Sequence, residues 1–299
     1  MAAKYRQIQK KIESIRSTIK ITRAMELVAA SRIVKAQNRL HQARPYAQRI
    51  QDAIRELAGV AEVASEFPLL KPREEIRSVG IVVITSDRGL AGSYNSNVIR
   101  LGVNLMREAR AAGQSTRLFV IGKKGLSFFR FSNYDIAASW QGISDTPRFE
   151  NAEELGEILV KEFIDGDVDE VKIAFTDFQS AGRQVPVLNT ILPIRREDVE
   201  PDKTKITPLY EFEPEPAAIL SLLLPRYVNT VIFASMLESS ASEHAARRRA
   251  MKAATENGEE LAKVYTRVAN RERQAEITNE IMEVVGGAEA LREKEDVNV

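Results

Sequence analysis

The chain has 299 residues, a formal net charge of +1, 44% hydrophobic and 6% aromatic residues, and no cysteine. That length suffices for one large or two ordinary domains with a sizeable core. Near-neutral charge excludes a polyelectrolyte partner for nucleic acid. The lack of cysteine excludes a disulfide framework, a thiolate metal site and a thiol switch, and fits a reducing compartment.

The N-terminal "MAAKYRQIQKK" is charged, unlike a signal peptide. Up to Gly59 no glycine interrupts the chain. Apolar or small residues recur at Tyr5, Ile8, Ile12, Ile15, Ile19, Ala29, Ile33, Ala36, Leu40, Ala43, Ala47, Ile50, Ile54 and Leu57, in steps of three and four that only Thr22 and Glu26 break. Sustained over about eight heptads, this is the pattern of a coiled coil. Residues 1–58 are read as an N-terminal coiled-coil helix, with a kink expected at Pro45. Off that stripe lies a second apolar line, Ile21, Met25 and Val28, which fits further walls around the helices or a thicker seam. The segment carries thirteen Lys and Arg against four Asp and Glu. Tyr5 lies on the seam and no groove-reading motif is present, so an acidic protein partner, or acidic parts of the same chain, explains the charge better than nucleic acid.

Short β-branched runs follow: "SVGIVVIT", "TRLFVIG", "EVKIAFTDF" and "VPVLNTILPI". Between them, "NVIRLGVNLMREARAAG" and "AEELGEILVKEFIDG" are amphipathic helices. The alternation predicts an α/β domain over residues 76–207 with a largely parallel sheet, the last two strands forming an antiparallel edge hairpin. The first strand runs into "SDRGLAGSYN", a Gly-rich turn. A dinucleotide fingerprint needs G-x-G-x-x-G; here Gly89 and Gly92 are three apart. "IGKKG" fails as a P-loop, since Arg117 replaces its first glycine and Lys124 its Ser or Thr. A structural turn, with Asp87, Ser93 and Asn95 as caps of the next helix, outweighs a small-ligand site or a partner contact. "DGDVDE" lacks the glycine and closing glutamate of a calcium loop and is read as a solvated turn. His41 and His244, the only histidines, are expected on exposed helix faces with no metal-ligand cluster around them.

The Pro-rich linker "PDKTKITPLYEFEPEP" leads into a C-terminal coiled-coil helix, residues 217–290. Leu261, Val264, Val268, Ala275, Thr278, Met282 and Val285 set its expected seam, with Arg271 as the exception, and "VVGGA" its expected end. Its longest apolar stretch, around Ala217 to Leu224, stops at Pro225 and Arg226, short of the ~18 residues that span a bilayer. A soluble protein, cytoplasmic by its composition, is expected. At 1.5 Å per residue the two helices would be ~87 and ~100 Å long, whereas a 299-residue globule is roughly 50 Å across. They are expected to project from the domain and to pair antiparallel as one shaft. Facing residue numbers should then add to about 275, leaving an unpaired tip beyond Gln274. Ile277, Ile281, Met282, Val284 and Val285 on that tip mark a binding surface.

Four separated motifs, "ITRAMELVAASRI", "SDRGLAGSYN", "ASEHAARRRAMKAATENG" and "RQAEITNEIMEVVGGA", together resemble the γ subunit of F-type ATP synthases, in order and over nearly the whole chain. The resemblance implies a central rotor shaft that couples ion flow through the membrane sector to ATP synthesis or hydrolysis at the β subunits by rotation. It implies one copy per complex and partners in the α and β subunits, the ε subunit and the c-ring. It implies no catalytic, cofactor or metal site of its own, no nucleic acid, and a peripheral location on the cytoplasmic face of the cell membrane, reached only through the complex. By the same resemblance, Met25, Arg247, Arg273, Gln274 and Thr278 contact β. Phe212, Glu213 and Glu215 approach ε and the c-ring; Phe212 stands where many relatives have Tyr, so no hydroxyl contact is expected. Two rivals remain: a passive coiled-coil tether with an α/β interaction domain, which predicts a closed seam and polar exterior, and an α/β enzyme with a coiled-coil arm, which predicts convergent catalytic groups at strand ends.

Overall fold

Strands and helices alternate in the centre of the chain as their hydrophobic patterns require. The computed structural model describes residues 2–60, 67–195, 213 and 215–296, with side chains described from 4 to 57 and up to 288. Two compact units result, Ala29–Arg249 and Met1–Val28 with Ala250–Val299. Each takes part of two long helices, α1 (Ala2–Val60) and α5 (Pro216–Asp296). Phe212 lies outside the described residues.

The larger unit is built on a five-stranded sheet of order β3-β2-β1-β4-β5. β1 (Ser78–Ile84) sits centrally and pairs in parallel with β2 (Ser115–Ile121) and β4 (Glu170–Phe178). β5 (Gln184–Leu192) runs antiparallel to β4, the expected edge hairpin. β3 (Ala138–Trp140) extends the other edge in parallel with β2; three residues leave no periodic signal in the sequence.

A central parallel strand is apolar on both faces and both must be covered. On one face α2 (Tyr94–Ala111) and α3 (Lys123–Phe131) pack Val98, Leu105, Met106, Leu126 and Phe129 against Val79, Ile81, Val83 and Val120. Gly102 permits this approach, because a Cβ there would lie 2.8 Å from Val83 Cγ2. The other face is covered by α4 (Phe149–Asp165) together with α1 and α5 themselves. Ile50, Ile54 and Leu57 of α1, and Leu220, Leu224, Val228, Ile232 and Met236 of α5, join Leu155, Leu159 and Phe163 in one core. The sequence pattern assigns the helices no such role: parts of both join α4 in covering this face of the sheet. This burial also explains the apolarity of α5, the one helix among the described residues long and apolar enough to cross a membrane. Farther along the pair, Ile33 and Ala36 meet Ala241, Ala245 and Phe178.

In the smaller unit α1 and α5 pair antiparallel. Ile8 and Ile12 pack on Ala269, flanked by Tyr5 and Tyr265. Lys4 pairs with Glu272 at 2.7 Å, the Lys11 ammonium lies 5.8 Å from the Tyr265 ring centre, and the hydroxyls of Thr22 and Thr255 share a 2.7 Å hydrogen bond. The facing numbers add to within two of the expected 275.

The seam on α5 differs from the expected one. Leu261, Val264, Val268, Ala275, Thr278, Met282 and Val285 are all exposed, and the residues turned to α1 are Met251, Thr255, Gly258, Ala262, Tyr265 and Ala269. The isoleucines of α1 need small residues opposite: a Cβ on Gly258 would lie 2.8 Å from Ile19 Cγ1. Periodicity picks out the largest side chains, and here these point outward. Nor does "VVGGA" end the helix, which continues to Asp296. A helical glycine costs only about 1 kcal/mol relative to alanine, and the following "AEALREKED" is rich in strong helix formers.

Candidate functional site

Two features stand out, an exposed apolar face and a buried polar node. The face belongs to the smaller unit. Since its seam is filled by small residues, Leu261, Val264, Val268, Ile277, Ile281, Met282, Val284 and Val285 are left in solvent, as are Ile21, Leu27 and Val28 of α1. Val284 is 73% and Met282 69% exposed. Large apolar side chains left in solvent in this number are what an interaction site presents. Met25 is half-buried beside it. Arg273, Gln274 and Thr278 are exposed, the Thr278 hydroxyl donating to the Gln274 carbonyl at 2.9 Å.

The node lies in the larger unit, around the loop "SDRGLAGSYN". A phosphate site needs free N–H donors and no competing anion. Here the Ser86 N–H donates to Asn95 Oδ1 at 2.9 Å and the Asp87 N–H to Ser144 Oγ at 2.9 Å. The Asp87 carboxylate accepts from the N–H groups of Lys123 and Ser144, both at 3.0 Å. Burial opposes its charge, but bonds from the backbone of Gly142, Ser144 and Lys123 and from the Ser144 hydroxyl outweigh it and hold its pKa below the ordinary value. The loop supplies its own anion. The expected caps on α2 are also corrected: Ser93 occupies the N-cap position but its hydroxyl caps no backbone N–H and instead accepts from Asn97 Nδ2 at 3.3 Å, Asn95 turns back to Ser86, and Asp87 serves the start of α3.

Arg247 extends this node instead of reaching solvent. Only 7% exposed, its guanidinium donates to Glu243 Oε1 at 2.5 Å and to the Gly89 carbonyl at 3.4 Å. His244, expected at the surface, is buried beside it, with Nδ1 3.3 Å from Arg247 Nη1 and Nε2 3.5 Å from Asp145 Oδ1. Burial first, then Arg247 and Arg32 against the opposing pull of Asp145, pushes the His244 pKa down to about 4. Glu243 is pushed up by burial against the pull of Arg247. Asp145 pairs with Arg32 of α1, and Ser240 donates to its backbone carbonyl at 3.1 Å. The node thus ties both long helices to two loops of the sheet. Its sequence signal is the run of small and polar residues from Ser239 to His244, which a helix carries only where another segment packs closely.

Asp145, Glu243 and His244 place three possible metal-ligand atoms within 4.8 Å of one another. The donor chemistry does not suit a cation. A neutral imidazole has one lone pair, and at Nδ1 it faces Arg247, so Nε2 carries the proton toward Asp145. Arg32, Arg88 and Arg247 already supply positive charge. His41 is exposed, as expected. Glu213 and Glu215 are exposed, and the Glu215 carbonyl accepts the Ala218 N–H at 2.9 Å at the start of α5.

An α/β domain whose Gly-rich loop is closed by its own aspartate, with antiparallel helices that expose an apolar face, defines an interaction subunit. The family profile described as ATP synthase matches residues 4–291. The chain is 47% identical to the ATP synthase gamma chain of Salinispora tropica, over 97% of this chain and 98% of that one. It is 45% identical to that of Mycolicibacterium smegmatis, over 97% and 99%. Among solved structures it resembles a chain of the Tetrahymena thermophila mitochondrial ATP synthase central stalk and c-ring, with 26% identity and TM-score 0.60 over 78% of this chain and 99% of that one. A chain of the Euglena gracilis mitochondrial ATP synthase shares the fold, with TM-score 0.68 and 16% identity over 97% and 95%. The chain belongs to the ATP synthase gamma chain family, the non-catalytic central-stalk subunits of F-type ATP synthase.

Proposed function

We propose that the exposed apolar face of Met1–Val28 with Ala250–Val299 is the bearing on which this stalk turns against the α and β subunits, coupling ion flow to ATP chemistry at β. The observation that carries the reading is the outward stripe Leu261, Val264, Val268, Met282 and Val285 over a seam of small residues. A shaft with different side chains on each face biases chemically equal β subunits toward different states as it rotates. Sliding requires weak, non-directional contacts, and aliphatic side chains provide them. Met25, Arg273, Gln274 and Thr278 are the contacts with β at this bearing. Arg247, expected to contact β, is buried against Glu243 and the Gly89 carbonyl, so its effect on β is indirect, through those partners. Phe212, Glu213 and Glu215 approach ε and the c-ring.

The α/β domain is the platform, residues 76–207 between coiled-coil segments 1–58 and 217–290. The chain is peripheral on the cytoplasmic face of the cell membrane, held there only through the complex; the bacterial relatives support this placement. A passive tether would bury its apolar seam and present a polar exterior, the reverse of the outward stripe.

Met25→Lys tests the bearing. A lysine at a partly desolvated contact forms an ion pair that a turning shaft must break, costing on the order of 1–3 kcal/mol. ATP-driven proton pumping per ATP hydrolysed is expected to fall several-fold while the complex still assembles. Unchanged pumping per ATP would remove Met25 from the bearing.

A further inference from the structure

Apart from the bearing and the node, the larger unit contains a cavity of about 350 Å³ bounded by α1, the start of α4 and α5. Its walls are Leu40, Ala43 and Ala47, with three aromatic rings in sequence. Tyr46 meets Phe149 edge to face at 6.4 Å between ring centres, and Phe149 meets Phe233 in the same way at 5.6 Å. One side chain brings a carboxyl group into this apolar lining, Glu238. Asp177 of β4 stands beside it and hydrogen-bonds to it, and Arg44 of α1, itself exposed, also lines the cavity. Two carboxyl groups therefore stand together, with the charge of Arg44 acting on Glu238.

We propose that this cavity binds a small amphipathic organic cation, with its apolar body against Tyr46, Phe149 and Phe233 and its ammonium group against Glu238. Volume, lining and charge point the same way. Pockets that hold small ligands begin at roughly 300 Å³ and combine apolar walls with few polar groups. Aromatic faces attract ammonium groups through their quadrupole, the more so where water is excluded. Neutral and anionic ligands of the same shape would leave the Glu238–Asp177 pair short of positive charge.

The electrostatics supply a signature. Burial, then the charge of Asp177 and its hydrogen bond, raises the Glu238 pKa to about 7 against the opposing pull of Arg44. A bound cation favours the ionised carboxylate, so binding expels the Glu238 proton. Affinity should rise about tenfold between pH 6 and pH 8, as the carboxylate goes from about one-tenth to nine-tenths ionised.

The test is calorimetry on the complete chain with benzyltrimethylammonium, benzyl alcohol and benzoate as probes of similar body and different charge. The cation is expected to bind at least tenfold more tightly than either of the others. Glu238→Gln should remove that preference and the pH dependence. Ala47→Phe should abolish binding by filling the cavity. Circular dichroism confirms that each variant is folded, and Ala43→Leu replaces Ala47→Phe if that chain does not fold. Equal binding of cation and alcohol, an unchanged preference in Glu238→Gln, or no saturable binding at millimolar cation would overturn the proposal.

Discussion

In Ala29–Arg249, α5 turns Leu220, Leu224, Val228, Ile232 and Met236 inward, onto a sheet. In Met1–Val28 with Ala250–Val299 the same helix turns Leu261, Val264 and Val268 outward and gives its partner Gly258, Ala262 and Ala269. The apolar content is similar and the use of it opposite. Against a broad sheet, large side chains have a surface to bury on and each contributes to the core. Against one helix they have only a groove, and here isoleucines from α1 already fill it. What the second arrangement loses in burial it gains as exposed apolar surface. Stability is concentrated in one unit and contact surface in the other.

Core truncation gives the largest contrast. Phe163 is fully buried in the core shared by α1, α4 and α5. Phe163→Ala should destabilise the larger unit by about 3–5 kcal/mol. Val284→Ala, on the exposed face, should change stability by less than about 0.5 kcal/mol. Denaturant unfolding of the two variants checks this. Comparable losses would mean that the exposed face is packed in the isolated chain.

The seam gives a smaller one. Gly258→Val places a Cβ within 2.8 Å of Ile19 Cγ1. The isoleucine must move or the helices part, at a cost of about 1–3 kcal/mol, with helix-propensity gain offsetting part of it. Amide hydrogen exchange should quicken in residues 1–28 and 250–285 and stay unchanged in the sheet. Because the chain has no cysteine, Thr22→Cys with Thr255→Cys also reads the seam without background: the pair should oxidise readily in the parent and slowly beside Gly258→Val. Fast exchange throughout would show that the two units do not respond separately.

How far the sequence reveals each unit follows from the same contrast. Strands β1, β2, β4 and β5 and helices α2 and α4 announce themselves, because a buried sheet demands continuous apolar runs and its helices a clear apolar stripe. The pairing register is legible too, since it rests on where both helices enter the domain. The seam of α5 is not: Thr255, Gly258, Ala262 and Ala269 carry little hydrophobicity, and Leu261, Val264 and Val268 carry more while facing water. The node is hidden for a different reason. Asp87, Asp145, Glu243, His244 and Arg247 are far apart in the chain, and as single charged residues on helices and loops each reads as solvated. Only the fold shows that Asp145 and Arg32 meet, and that His244 is covered.

The ion pairs extend the comparison and give the smallest effect. In the smaller unit Lys4–Glu272 and Arg23–Glu259 are largely in solvent, where pairs of this kind contribute little. In the larger unit the node is buried, and protonating it carries a cost. His244 has a folded-state pKa of about 4, below its ordinary 6.5. The folded chain therefore binds fewer protons at this residue than the unfolded chain between those values. Its contribution is fully present above pH 6.5 and is lost as pH falls toward 4. Glu238 acts in the opposite sense: its pKa is raised to about 7, so its protonated form favours the fold as pH falls from 7 toward 4.5. The two largely cancel in the parent chain, and single variants separate them. His244→Gln keeps a hydrogen-bonding side chain beside Arg247 without the titration. Relative to the parent, it should gain stability between pH 6.5 and pH 4.5, on the order of 1–2 kcal/mol, with little relative change between pH 7 and pH 8. Urea unfolding at pH 4.5, 6.5 and 8 measures the difference. A flat difference across that range would mean that His244 is accessible to protons in the folded chain, and that the node is as solvated as the pairs of the smaller unit.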